Sequence, residues 1–223
     1  TRDTRVTLEN RYTMSTDSPG SPDLQAGLAK LTIFNTYGTS LGLSQSFNHL
    51  EISGKASADR TVYQKSLLTN GTRTSNNDRN LDQYGALARV SYEIRTGVKP
   101  FVEVSAYARQ HDLAVDRNGL QRDSQSLSPK IGTTFEINSR LNGEISAGYL
   151  MREYKDPSLP ELRGVVADAS LIWAVNGLTT ATLIASSRGG ETLLPGVSGV
   201  LQRDVEVQVD HAFRRWLIGT AKL

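Results

Sequence analysis

Residues 100–112, PFVEVSAYARQHD, set Val102, Val104, Ala106 and Ala108 in alternation with Glu103, Ser105, Tyr107, Arg109 and His111. Successive side chains of a strand point to opposite faces, so this run commits its backbone to β structure with one oily and one polar side. Two architectures use such a strand. A soluble sheet turns its polar side to water, whereas a membrane barrel turns the oily side to lipid and the polar side to an aqueous lumen.

The period recurs along the chain and predicts about eleven strands, with almost no helical periodicity. They fall near 6–14, 33–46, 49–63, 81–95, 100–112, 124–138, 142–155, 164–176, 179–190 and 201–213, with an eleventh from 216. Lengths of about 12–15 residues exceed the 5–6 typical of soluble domains and match a tilted strand that crosses a bilayer and projects beyond it. The connections alternate as well. Short ones at 46–49, 95–99, 138–142, 176–178 and 213–216 are separated by long polar ones at 16–30, 64–80, 112–124, 155–164 and 189–203. An up-and-down barrel with short turns on one rim and long loops on the other produces this alternation.

Aromatic residues cluster toward strand ends. Phe47, Tyr92, Phe101, Phe135, Trp173, Phe213 and Trp216 lie close to short turns and are read as one interfacial girdle. Tyr12, Tyr63, Tyr84, Tyr107, Tyr149 and Tyr154 lie nearer the long loops and are read as the other. The fold class is therefore all-β, a transmembrane antiparallel up-and-down β-barrel.

Composition narrows the function. With 25 Lys and Arg against 23 Asp and Glu, the net charge of +2 gives no basic surface for nucleic acid. No cysteine is present, which removes disulfides, thiolate metal sites and thiol nucleophiles. Mean hydropathy is −0.36 and no long apolar run exists, which excludes a transmembrane helix but not barrel strands. His49, His111 and His211 show no metal-ligand spacing, no nucleophile elbow is present, and no cofactor motif appears, so an enzyme is not expected. The segments 76–80 (NNDRN) and 116–119 (DRNG) have oxygen donors for a loose calcium site, although turn chemistry explains the same residues.

The polar rows carry the remaining signal. Seven cations (Arg11, Lys55, Arg89, Arg109, Lys130, Arg152, Arg188) stand with eleven anions (Glu9, Glu51, Asp59, Glu93, Glu103, Glu136, Glu144, Asp168, Asp204, Glu206, Asp210). In hydrocarbon each Arg or Lys near the midplane costs about 2–4 kcal/mol, so these rows must face water or one another. Glu103, Arg109, Glu144, Arg152, Glu206, Asp210, Arg89 and Lys55 are the candidate pore-lining residues. The anionic excess predicts a weak cation preference. Cross-strand pairs that fill and stiffen the interior are the other reading of the same residues.

Segments such as NHLEISGKASADRTVYQ, GVKPFVEVSAYARQHDLAVDRNGLQRDS, YLMREYKDPSLPELRG and LPGVSGVLQRDVEVQVDHAFRRWLIGTAKL resemble the putative β-barrel porin type 2 family, outer-membrane proteins of alphaproteobacteria. The resemblance covers nearly the whole chain and implies fold and location more than activity. A passive porin or export channel for ions or small polar solutes is then expected in the outer membrane of a Gram-negative cell. A plugged barrel, or an adhesin or scaffold that uses its loops, stays open as the alternative. The expected partners are outer-membrane lipid and lipopolysaccharide, the solutes themselves, and a protein partner or second copy on the outer rows at 54–58, 86–88, 106–108 and 181–185, which are rich in alanine. A short last strand and an odd strand count lead us to expect residues 1–223 to be one domain, an internal part of a barrel of about 16–18 strands.

Overall fold

A computed structural model describes residues 3–18, 24, 27–138, 140–192, 194 and 197–223. Parts of the expected loops 16–30 and 189–203, and of the turn 138–142, lie outside the described residues. Eleven long strands form one antiparallel sheet: β1 (Thr4–Thr16), β2 (Ile33–Phe47), β3 (Leu50–Tyr63), β6 (Leu81–Tyr92), β7 (Val98–His111), β8 (Ser124–Asn138), β9 (Leu141–Tyr154), β10 (Leu162–Ala174), β11 (Thr179–Glu191), β12 (Gly199–Arg214) and β13 (Leu217–Lys222). The two-residue strands β4 (Ser66–Leu67) and β5 (Arg73–Thr74) and a 3₁₀ turn at Asn77–Arg79 decorate the connection between β3 and β6. Each long strand pairs with its neighbours in sequence, from β1 to β13, and the sheet is open.

The short turns are tight because local chemistry makes them so. Asn48 takes a positive φ of 57° between β2 and β3, a conformation that asparagine tolerates and that matches the strand twist in a two-residue hairpin. Polar long loops stand at the opposite rim, as the alternation of connection lengths predicts.

Burial decides which face meets oil. Ile131 and Val205 are each 68 % exposed and Val102 56 %, whereas Glu103 is 6 % and Arg152 4 % exposed. Only Phe101, Leu150, Leu159 and Val166 are buried apolar residues among those described. A soluble sandwich would seal its apolar rows between two sheets. Here those rows lie outermost, and the polar rows line the inner side of the curve.

Side chains across several strands show how tight that curve is. Arg89 on β6 donates to Glu144 on β9 at 2.8 and 3.0 Å, over the intervening β7 and β8. Adjacent strands sit about 4.8 Å apart, so three strand spacings closed by two side chains require a concave face.

Phe101 corrects the proposed aromatic girdle. It is 4 % exposed and belongs to the concave face, where the Arg89 guanidinium lies 4.0 Å from its ring centre. Its neighbour across the ladder is Gly132, and a Cβ there would stand 2.5 Å from the Phe101 ring. The missing side chain makes the space that draws the ring inward. Phe47, Tyr92, Trp173, Phe213 and Trp216 are exposed, and Phe135 lies on the outward row with Val98 and Gly143. On the other rim, Tyr63, Tyr107 and Tyr154 also turn inward by register, so that ring is thinner than expected.

Candidate functional site on the concave face

Strand register puts all eight candidate lining residues on one face. Arg89 opposes Glu103, Gln83 opposes Arg109, Thr134 opposes Glu144, Ser126 opposes Arg152, and Lys55 opposes Gly42 and Leu87. Glu206 and Asp210 oppose Ile184 and Thr180 on the same row.

The structure also shows what holds them. Arg89 donates from Nε to Glu103 at 2.7 Å and with both terminal nitrogens to Glu144, which accepts a further bond from the Thr134 hydroxyl at 2.9 Å. Lys130 on β8 pairs with Asp168 on β10 at 2.5 Å. Arg109 donates to Gln83 at 2.6 Å, and Arg152 donates to the Gly189 carbonyl at 3.0 Å. Glu206 pairs with Lys222 at 2.7 Å, and Asp210 accepts from Thr220 and Gln208.

The face has two characters. Over β6–β10 the charged groups are close-paired and half-buried or buried. Over β1–β3 the contacts are mixed: Arg11 holds Asp59 at 3.0 Å, whereas Lys55 lies 3.7 Å from Glu9 and Lys99 of β7 lies 3.9 Å from Glu51, with the Lys55 and Glu9 side chains 50 % and 60 % exposed. Ion pairs of that length and exposure contribute little to stability and exchange readily with water.

Three cations were missed by reading each strand alone. Arg5, Lys99 and Lys222 share the concave face through their cross-strand partners Ser44, Thr134 and Gln208. They bring the seven cations to ten against eleven anions, so the expected anionic excess nearly vanishes.

Beyond the strands, the long loops form a cross-linked cap. Arg79 makes a two-pronged pair with Asp17 at 2.8 Å and lies 4.0 Å over the Tyr63 ring. Arg117 grips Asp78 at 2.7 and 2.8 Å, and Arg122 pairs with Asp116 at 2.7 Å with both side chains almost wholly buried. The oxygens once weighed for calcium are thus taken by arginines and by turn amides, with Asn118 and Leu120 both donating to Asp116. Burial alone would raise the Asp78 and Asp116 carboxyls, but Arg117 and Arg122, together with backbone amides that donate to each carboxylate, more than offset it and both lie below the ordinary range. Asp112 is lowered chiefly by its hydrogen bond from Arg60.

From the sequence, residues 76–80 and 116–119 were weighed only as a loose calcium site, and Asp17, Arg60 and Arg122 were not singled out. A usable signal was present, since loops that are merely solvated have no need of Asp and Arg in such matched numbers.

The family model described as Putative beta-barrel porin 2 matches residues 1–223. The chain belongs to this porin family. It is an outer-membrane β-barrel protein, and the inside-out burial of its strands is the physical form of that membership. No curated protein matches the chain. Among solved structures it is similar to the alcaligin outer-membrane receptor FauA of Bordetella pertussis, with 12 % identity and a TM-score of 0.42 over 100 % of this chain and 40 % of that one. It is similar to the toluene transporter TodX of P. putida, with 13 % identity and a TM-score of 0.48 over 96 % and 70 %. The translocator domain of the autotransporter NalP of Neisseria meningitidis gives 10 % identity and a TM-score of 0.44 over 99 % and 81 %. The chain thus spans two-fifths of the first of these structures.

Proposed function

We propose that the chain forms the wall of a hydrated passage through which ions and small polar solutes diffuse across the outer membrane of a Gram-negative cell, without catalysis. One observation carries the reading: a continuous charged row runs along the concave side through Lys55, Arg89, Glu103, Lys130, Glu144 and Asp168 on successive strands of the sheet. Charges held in a curved sheet with lipid outside gain hydration only from a water-filled interior.

The near balance of ten cations and eleven anions supports weak discrimination between small cations and anions. Outward rows contact lipid and lipopolysaccharide in this reading. At Ala86, Ala106 and Ala108 the small side chains leave a groove of about 610 Å³ rimmed by Tyr84, Leu127 and Met151, which suits a protein partner or a second copy.

A second reading, a non-conducting barrel, draws on the close pairing over β6–β10 and on the inward course of one hairpin described below. Single-channel recording of the full-length protein in planar bilayers separates the two. Discrete conductance steps with a reversal potential near zero in a salt gradient are expected. A heat-modifiable, correctly folded barrel that never conducts would leave the structural role.

A further inference from the structure

The ladder between β10 and β11 ends early. β9 pairs with β10 from Leu162 onward, yet β11 pairs with β10 only over Ala169–Ala174. Beyond Ala185, β11 leaves the wall while still paired with β12 up to Glu191. Side chains cover the break: Asp168, itself paired to Lys130, accepts from the Ser187 amide at 3.2 Å, and the Ser187 hydroxyl donates to the Ala167 carbonyl at 3.0 Å. A buried amide leaving a ladder needs such a substitute acceptor.

The departing half turns toward the concave face. Arg152, on that face, donates to the carbonyls of Gly189 at 3.0 Å and Gly190 at 3.5 Å. A Cβ at Gly189 would stand 2.7 Å from Leu150 Cδ2, one at Gly199 2.5 Å from the Tyr154 hydroxyl, and one at Gly164 3.1 Å from Leu201. By register Leu150, Tyr154 and Gly164 all belong to the inner row. Farther along, Arg122 donates to the carbonyls of Val197 at 3.1 Å and Leu194 at 3.5 Å while its charge is held by Asp116. The hairpin therefore crosses in front of β9 and β10, and the burial of Leu150, Val166, Arg152 and Thr192 is its footprint.

We infer that the described inward residues of the β11–β12 hairpin, 186–192 and 197–204, form the size-limiting constriction of the passage, anchored by Arg122 and Arg152. The inference rests on the hydrated passage proposed above and names the element that sets what fits through it. Arginines suit the anchoring role because each guanidinium can hold a carboxylate or wall position and still donate to peptide carbonyls. Glycine at 189 lets the hairpin backbone lie directly on Leu150, where any side chain would lift it away.

The test uses the full-length protein in planar bilayers, with Arg122→Ala plus Arg152→Ala as one variant and Gly189→Val as a second that keeps both arginines and lifts the hairpin backbone off Leu150 and the Arg152 guanidinium. Arg60→Ala, on the outer rim beside Asp82 and Asp112, is the control. Heat-modifiable gel mobility checks that each barrel is folded. Conductance at least about twofold above wild type in either hairpin variant, with the control unchanged, supports the constriction, because conductance follows the narrowest cross-section. A silent wild type with conducting hairpin variants also supports it, and then only the open state proposed above fails. A conducting wild type whose folded hairpin variants keep its conductance overturns the constriction and leaves the passage standing. Silence in every folded variant overturns both.

Discussion

Arg89 is the place to test whether the concave face is held by charge. Its guanidinium serves Glu103 and Glu144 together and covers the Phe101 ring. Replacement by alanine leaves Glu103, with 8 % of its side chain exposed, without its principal cation, while Glu144 at 34 % can rehydrate. Removing one partner of a buried pair costs about 3–5 kcal/mol, mostly the penalty of the stranded charge, and the partial exposure of Glu144 puts Arg89→Ala near the lower end, about 3 kcal/mol. The stranded-charge origin has a second consequence: adding Glu103→Gln to Arg89→Ala should restore more than half of the loss. Urea unfolding of the protein refolded into lipid vesicles, followed by the fluorescence of Trp173 and Trp216, measures both. A loss under about 1 kcal/mol would mean the charges are hydrated well enough to need no partner. Additive single and double variants would mean the carboxylate was never stranded.

The lipid-facing row is tested at Val104, midway along β7: Val104→Arg should lower folding stability by about 2–4 kcal/mol in vesicles, and a neutral result would put this row in water rather than acyl chains. The loop cap is acid-sensitive in a defined direction. Asp78, Asp112 and Asp116 have folded-state values below the unfolded carboxylate value of about 3.9, so their contribution is full above that pH and is lost as pH falls through the depressed values. Protease nicking of the long loops should therefore stay constant from neutral pH down to about 4 and rise below it, measured with an acid-active protease; a rise already near pH 6 would implicate other groups. On the loose wall, Lys55→Gln should shift the reversal potential toward cation preference while changing stability by under about 1 kcal/mol, and a large unfolding shift with no change in selectivity would contradict the distinction between the two walls.

Strand count, strand faces and the short-turn and long-loop rims were legible because each depends on the period of a single strand. Val102 or Glu103 reveals its side through its immediate neighbours alone. Phe101 was misread because its inward turn is dictated by Gly132, on the next strand and invisible to a rule about aromatics near turns. Lys99 and Lys222 were passed over because they sit at strand ends, where a period of two has too few repeats to assign a face. The hairpin course was illegible for a deeper reason: Arg122 meets Val197 and Arg152 meets Gly189 across 75 and 37 residues, and nothing in the local pattern of β11 marks where it leaves the wall.

In the proposed passage, the two kinds of contact on the concave face would divide the labour between holding the barrel and passing solute. Close pairs at Arg89 and Lys130, and the Arg152 bonds to hairpin carbonyls, cost desolvation that is recovered only with good geometry, and these curvature-spanning contacts exist only once the sheet is bent. They therefore report shape. The pairs Lys55–Glu9 and Lys99–Glu51 are too long to hold shape, yet they sit in a field where an entering ion can replace either partner at little cost. In the proposed passage the hairpin sets the width and the exposed charges set the ion preference, so Gly189→Val, which frees the hairpin without removing a charge, should widen the path without altering its ion preference.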